Sequence, residues 1–175
     1  MKDVADLLWD VIRDMEIKSI IDVGTGVNGV VGLHYLELKN IQIKYAIDIY
    51  SIKPLPTDWI TIIMDGRDLL NRFGEKSVDI ITAYDFIEHL NKEDGIKWLK
   101  DAEKIARKVI FLFTPISKNG DIPLSPSAGL RPENIYEQHK SGWTYREFEK
   151  LGFNTGKNNS ENMWKDTNII AWKLL

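Results

Sequence analysis

The chain has 175 residues, which suits one domain with a full hydrophobic core and would be short for two. Its formal net charge of −3 disfavours a broad phosphate-neutralising surface and therefore a nucleic-acid partner. It has no cysteine, so disulfides, cysteine nucleophiles and cysteine-based zinc sites are excluded, and we expect no metal site. No apolar run reaches membrane-spanning length and the N-terminus does not resemble a signal peptide, so we expect a cytoplasmic protein.

Apolar residues at helical spacing predict a first helix over residues 3–15. The short apolar run "KSIIDVG" that follows is typical of a buried strand ending in a turn. Further strands are predicted at 43–50, 59–66, 77–86 and 108–115, and helices at 29–39 and after Asn91, which is placed to cap its helix.

These strands are apolar almost throughout, and helical segments separate most of them. Strands buried on both faces of a parallel sheet have this composition. The sequence therefore predicts a doubly wound α/β fold with helices on both faces and a ligand crevice at the carboxyl ends of the strands.

The last third of the chain departs from this alternation. Residues 114–142 are rich in Pro, Ser, Gly and Asn and predict a long loop, while Thr144 and Glu147 have the spacing of a capping box at a helix start. The strands in "GFNTG" and "NIIAWKLL" have no helix between them and should pair antiparallel.

The stretch "DVGTGVNG" at 22–29 offers two interpretations. Gly24, Gly26 and Gly29 fit the dinucleotide-binding pattern G-x-G-x-x-G. Asp22, however, would place a carboxylate beside the pyrophosphate of such a ligand, where like charges about 4–6 Å apart repel by a few kcal/mol. S-adenosylmethionine carries an ammonium and a sulfonium instead, so the carboxylate favours this cationic ligand.

The "DVGTG" segment resembles motif I of class I S-adenosylmethionine-dependent methyltransferases, and the chain is similar to their small, type 11-like members over residues 17–175. "YAIDIY", "IMDGRDLL" and "VDIITAYDFIEHL" resemble the family segments at the ends of strands two, three and four. The resemblance implies one methyltransferase domain over residues 1–175, with a seven-stranded, mostly parallel sheet and an antiparallel C-terminal strand. It also implies S-adenosylmethionine as methyl donor and S-adenosylhomocysteine as product.

The resemblance also implies roles for individual residues. Asp48 would bind the ribose hydroxyls, Asp65 the adenine amino group, and the backbone after Asp65 the adenine ring. The complete set of implied cofactor-binding residues is Asp22, Gly24, Thr25, Gly26, Asp48, Ile49, Asp65, Gly66, Arg67, Tyr84 and Asp85. Asp48 could equally be a solvated carboxylate, "DGRD" could be a turn with a helix cap, and Tyr84 could be a core aromatic residue.

His89 and His139 are the candidate catalytic bases, against the alternatives of a structural and a surface histidine. The loop at 114–142 is expected to supply specificity for a methyl acceptor, most simply a small molecule, in a monomer or homodimer. Two other functions stay open on the sequence. One is an NAD-dependent oxidoreductase, and the other is a methyltransferase-like module that binds the cofactor without turnover.

Overall fold

The computed structural model describes residues 4–26, 41–50, 58–117, 121–123, 135–157 and 167–175. The described helices are α1 (Val4–Ile12), α2 (Leu69–Phe73), α3 (Lys92–Ile105) and α4 (Tyr145–Lys150), with 3-10 turns at Gly66–Asp68 and Ile87–His89. The described strands are β1 (Ser19–Val23), β2 (Ile43–Asp48), β3 (Trp59–Ile63), β4 (Val78–Tyr84), β5 (Ala106–Pro115), β6 (Asn154–Lys157) and β7 (Asn168–Leu174). The helix predicted at 29–39 lies outside the described residues.

The described strands form one seven-stranded sheet in the order β3-β2-β1-β4-β5-β7-β6. The first five strands are parallel, and β7 runs antiparallel to both β5 and β6. The mostly parallel sheet and its reversed C-terminal strand are therefore confirmed. The strand order changes direction between β1 and β4, and this is where open α/β sheets bind their ligands.

Helices cover both faces of the sheet, as the apolar strands require. On one face Ile21, Ile81 and Ile110 pack in a buried cluster that includes Trp98 of α3 and Phe148 of α4. On the other face the preceding residues of the same strands, Ile20, Ile80 and Val109, pack in a second cluster with Leu8 and Ile12 of α1. Side chains alternate between the faces of a strand, so both sets have to be apolar.

Local signals explain the helix boundaries. Thr144 and Glu147 form the predicted capping box, in which each side chain accepts from the backbone of the other residue. Asn91 does precede α3, but its side chain makes no capping hydrogen bond. β3 ends at Ile63 rather than at the predicted residue 66, because Asp65 starts a 3-10 turn by accepting from the Arg67 amide.

Candidate functional site

The glycine turn after β1 is held against the end of β2. The amides of Gly24 and Thr25 both donate to the carbonyl of Ile47, at 2.8 and 3.2 Å. Gly24 and Gly26 have φ of +72° and +80°, a conformation that other residues adopt only with strain. A Cβ on Gly24 would lie 2.9 Å from Phe86, whereas one on Gly26 would meet nothing within 4 Å. The side of the turn at Gly26 is therefore open among the described residues.

Asp48, at the end of β2, connects this turn to its own strand. One carboxylate oxygen accepts from the Gly26 amide and the other from the Tyr50 amide, each at 2.8 Å. A carboxylate oxygen can accept more than one hydrogen bond, so Asp48 keeps acceptor capacity for a pair of hydroxyls. Ile49 follows it and is half-buried.

Asp22 is fully buried beneath the glycine turn. Its Oδ1 accepts from the Thr82 hydroxyl of β4 at 2.8 Å, while its Oδ2 has no hydrogen-bond partner among the described residues. Burial raises the pKa of Asp22 to about 7, with Thr82 opposing the shift and Asp48 adding to it. Buried polar atoms are nearly always satisfied, so an orphaned carboxylate oxygen indicates a place for a donor or a cation.

Asp65 is engaged by its own turn. Arg67 donates to the Asp65 carboxylate from its amide, its Nε and one terminal nitrogen, at 2.6 to 3.0 Å. These hydrogen bonds hold the pKa of Asp65 below its ordinary value. The carboxylate thus faces the Arg67 guanidinium. The backbone of the turn, rather than this carboxylate, is then the simpler contact for the adenine ring that the resemblance implies.

Gly66 lies where the chain packs most closely. A Cβ there would come within 2.8 Å of both the Phe86 ring and the Val23 side chain. The Gly66 carbonyl accepts from the Trp98 indole at 3.0 Å, and the ring of Phe86 contacts that of Trp98. The turn after β3 is thereby fixed against β1 and α3.

The end of β4 lies at the mouth of the predicted ligand crevice, and the two implied cofactor-binding residues there, Tyr84 and Asp85, are in different environments. Tyr84 is buried between Phe111 and Phe113, so its ring belongs to the core, which is the alternative that the sequence left open. Asp85 is exposed and has φ of +45°, and its amide donates to the carbonyl of Phe113. Left-handed backbone outside glycine costs about 1–3 kcal/mol and is concentrated at functional sites.

The two candidate histidines lie side by side. The ring centroids of His89 and His139 are 5.0 Å apart, although the residues are 50 positions apart in the chain. The loop is joined to the turn after β4 because the carbonyl of Glu88 accepts from the amides of Lys140 and Ser141. Burial lowers the pKa of His89 to about 4 and also lowers that of His139, so both rings are neutral near pH 7.

Glu88 is a buried residue of this site for which the sequence predicted no functional role. It is fully inaccessible to solvent, and its Oε2 accepts from the Thr114 hydroxyl at 2.7 Å. Its Oε1 has no hydrogen-bond partner among the described residues and lies 4.0 Å from Nε2 of His139. Burial and the neighbouring Asp85 raise the pKa of Glu88 well above its ordinary value.

Known proteins resemble this chain in fold rather than in sequence. No protein-family model matches the sequence, and no curated protein does. Of the helices in the described ranges, none combines the length and the hydropathy that crossing a bilayer requires.

Solved structures do match the chain. It is similar to a SAM-dependent methyltransferase from Archaeoglobus fulgidus at 15% identity and a TM-score of 0.65, over 98% of this chain and 93% of that one. It is similar to the 1,6-didemethyltoxoflavin-N1-methyltransferase of Burkholderia thailandensis at 12% identity and a TM-score of 0.69, over 98% and 76%.

An O-methyltransferase family protein from Burkholderia thailandensis matches at 12% identity and a TM-score of 0.58, over 96% of this chain, which spans 56% of that protein. At these identities the likeness establishes the fold. This chain therefore has the Rossmann-like fold of S-adenosylmethionine-dependent methyltransferases.

Proposed function

We propose that the chain is an S-adenosylmethionine-dependent methyltransferase whose single domain spans residues 1–175. The observation that carries the proposal is the fully buried carboxylate of Asp22, with one oxygen unpartnered beneath the glycine turn. A buried negative charge is costly unless a cation or donors compensate it. The ammonium of S-adenosylmethionine supplies that charge, directly or through one water molecule.

The other cofactor contacts follow the carboxyl ends of the strands. Asp48 would accept from the two ribose hydroxyls, as charge-assisted hydrogen bonds. The backbone of Gly24, Thr25 and Gly26 would approach the methionyl part, and that of Gly66 and Arg67 the adenine. Ile49 would contact the ring, and Asp85 lies at the mouth, where the acceptor would meet the methyl group.

The cofactor contributes a methyl group on a positively charged sulfur, which is a good leaving group. The main task of the chain is then to align the acceptor with the carbon–sulfur bond, and alignment of this kind lowers a barrier by about 7–11 kcal/mol. His89 and His139 are the candidate groups for taking a proton from a hydroxyl or ammonium acceptor. The lowered pKa of both makes them weak bases near neutral pH.

The loop at 114–142 is the proposed source of acceptor specificity. Its described parts lie against the turn after β4, and its Tyr136 contacts the ring of Tyr50, which follows β2, at 5.8 Å between centroids. Tyr136 therefore lies beside the end of β2 at the carboxyl edge of the sheet, where the loop would exclude water from the reaction. The net charge of −3 supports a small-molecule acceptor over a nucleic acid.

Calorimetric titration of the full chain with S-adenosylmethionine, S-adenosylhomocysteine and NAD tests the proposal. We expect both sulfur compounds to bind and NAD not to bind. Asp48→Asn should weaken binding by about tenfold or more, because a charge-assisted hydrogen bond is worth about 1.5–3 kcal/mol. Asp14→Asn is the matched control, since Asp14 follows the end of α1 and its side chain is 93% exposed. Binding of NAD alone would contradict the proposal.

Turnover separates an enzyme from a binding module. The full chain is incubated with S-adenosylmethionine and a panel of small hydroxyl, amine and thiol compounds, and S-adenosylhomocysteine is measured by mass spectrometry. Release above the rate without acceptor supports a methyltransferase. Cofactor binding without release on any acceptor supports the non-catalytic alternative.

A further inference from the structure

The turn after β4 and the loop before α4 bring together three side chains with metal-ligating chemistry. Glu88, His89 and His139 each offer one ligand atom, and these atoms all lie within 4.8 Å of one another. Glu88 and His89 are neighbours in the Ile87–His89 turn, and His139 is held beside them by the backbone hydrogen bonds to the Glu88 carbonyl.

Both imidazoles are oriented by backbone carbonyls. Nδ1 of His139 is 2.8 Å from the carbonyl oxygen of Pro123, and Nδ1 of His89 is 3.3 Å from that of Gln138. A carbonyl oxygen only accepts, so each Nδ1 carries the hydrogen and the neutral ring keeps a lone pair on Nε2. Metal-binding histidines are held in this way, with one ring nitrogen on a carbonyl or carboxylate and the other on the ion.

The buried carboxylate supplies the second observation. Oε1 of Glu88 is inaccessible to solvent, faces His139 and has no hydrogen-bond partner among the described residues. A hydrogen bond to His139 does not account for it, because 4.0 Å exceeds the range of such bonds. The other neighbour of the Glu88 carboxylate is the Asp85 carboxyl group, a second acid that repels it when both are ionised. An ion between Glu88 and the two histidines would satisfy the oxygen and both lone pairs at once.

We propose that Glu88, His89 and His139 bind a divalent first-row transition-metal ion. Two imidazole nitrogens and one carboxylate oxygen suit zinc and its neighbours better than magnesium or calcium, which prefer oxygen ligands. Ligands about 2.0–2.2 Å from the ion are roughly 3.3–3.5 Å apart in a tetrahedral site. Side-chain movements of about 1 Å or less therefore close the cluster around the ion.

The location gives the ion a role that rests on the proposed methyltransferase function. Three protein ligands leave at least one coordination position for an acceptor oxygen, and Asp85 at the methyl-transfer mouth lies three residues before Glu88. A bound hydroxyl loses its proton to solvent more easily. Its oxygen then forms the new bond to the methyl carbon, while the electrons of the carbon–sulfur bond stay on sulfur. The acceptor class that fits is a hydroxyl compound able to coordinate the ion.

Equilibrium dialysis of the chelator-stripped full chain against zinc alone tests the site without requiring turnover. We expect about one zinc per chain, with affinity reduced about 100-fold or more in His139→Ala and Glu88→Gln, since even supporting residues change metal affinity by about 10–100-fold. His34→Ala is the matched control, because His34 is the remaining histidine of the chain and is not one of the three proposed ligands. Its affinity should match that of the unaltered chain.

Glu88 also holds Thr114, so its substitution could unfold the chain, and a second measurement avoids variants altogether. The visible spectrum of Co²⁺ added to the unaltered chain should show the intense bands of a four- or five-coordinate ion, and zinc should displace them. Absence of these bands, or equal zinc affinity in the unaltered chain and His139→Ala, would overturn the proposal.

Titration of the metal-free chain with S-adenosylmethionine separates the two proposals. Zinc binding without S-adenosylmethionine binding would refute the function and leave the metal site standing. Binding of S-adenosylmethionine without zinc would refute the metal site alone.

Discussion

Asp22→Asn is the substitution that tests the cofactor site most directly. In the free protein burial raises the pKa of Asp22 to about 7, so its carboxylate is about 1% ionised at pH 5 and about half ionised at pH 7. A ligand ammonium interacts with the ionised form. If binding restores an ordinary acidic pKa, the affinity for S-adenosylmethionine should rise about 50-fold between these two pH values.

Isothermal titration calorimetry at pH 5, 6 and 7 measures this rise. The window stays below about pH 7.7, at which an α-amino group has lost about half of its protons. Asp22→Asn should bind more weakly at pH 7 and should have a nearly constant affinity across the window. Asp85 is a second acidic residue at the mouth of the site. Asp85→Asn is therefore the control and should keep most of the rise.

The same shift has a consequence for the free protein. A raised pKa in the folded state means that Asp22 contributes stability below about pH 4, and that this contribution is lost as pH rises through about 7. Its ionisation costs the folded state about 4 kcal/mol, so Asp22→Asn should raise Tm at pH 8 in the absence of ligand. An unchanged pH profile of cofactor affinity in Asp22→Asn would refute the assignment of Asp22 to the ammonium.

Three further substitutions test the surrounding structure. Gly66→Ala places a Cβ 2.8 Å from the Phe86 ring and should lower the free energy of unfolding, measured in urea titrations, by about 1–3 kcal/mol. Adding Phe86→Leu should restore part of this loss. An unchanged free energy of unfolding in Gly66→Ala would contradict the close packing. Asp79→Asn should cost about 2 kcal/mol at pH 7, because the buried Asp79 accepts from Arg107 at 2.8 Å. Burial alone would raise the pKa of Asp79, but its hydrogen bonds hold the pKa below the ordinary value. The difference in unfolding free energy between the unaltered chain and Asp79→Asn should therefore shrink as pH falls below about 4. A difference that stays constant with pH would argue against the ion pair. Asp48→Ala should lower Tm slightly, through loss of its bonds to two amides, and should remove most of the stabilisation by S-adenosylhomocysteine; full retention would contradict ribose binding.

The sheet could be predicted because its signals are local. β1 and β4 are buried along their whole lengths, and both appear in the sequence as mostly apolar runs. The reversed C-terminal strand followed from the sequence prediction that no helix separates the last two strands. The short helix α2 was indicated only by the alternative that "DGRD" is a turn with a helix cap, because its five residues are too few to show a helical period.

Side-chain direction was harder to predict than backbone position. Tyr84 ends β4 at the predicted mouth, but its ring turns into the core between two phenylalanines. Asp65 has the predicted position, but its carboxylate is engaged by Arg67 two residues later. In both cases the direction of the side chain depends on how it packs against neighbours in the folded chain, and a sequence pattern does not contain that information.

The cluster of Glu88, His89 and His139 shows why sequence separation hides a site. The absence of cysteine excluded one class of metal centre, and the two histidines then looked like independent candidate bases. What unites them is backbone geometry: amides after His139 donate to the Glu88 carbonyl, and carbonyls orient both rings. Backbone partners leave no residue pattern to recognise. The chemical meaning of the histidines therefore changes once they are seen together, from weak bases with lowered pKa values to neutral nitrogen donors beside a buried carboxylate.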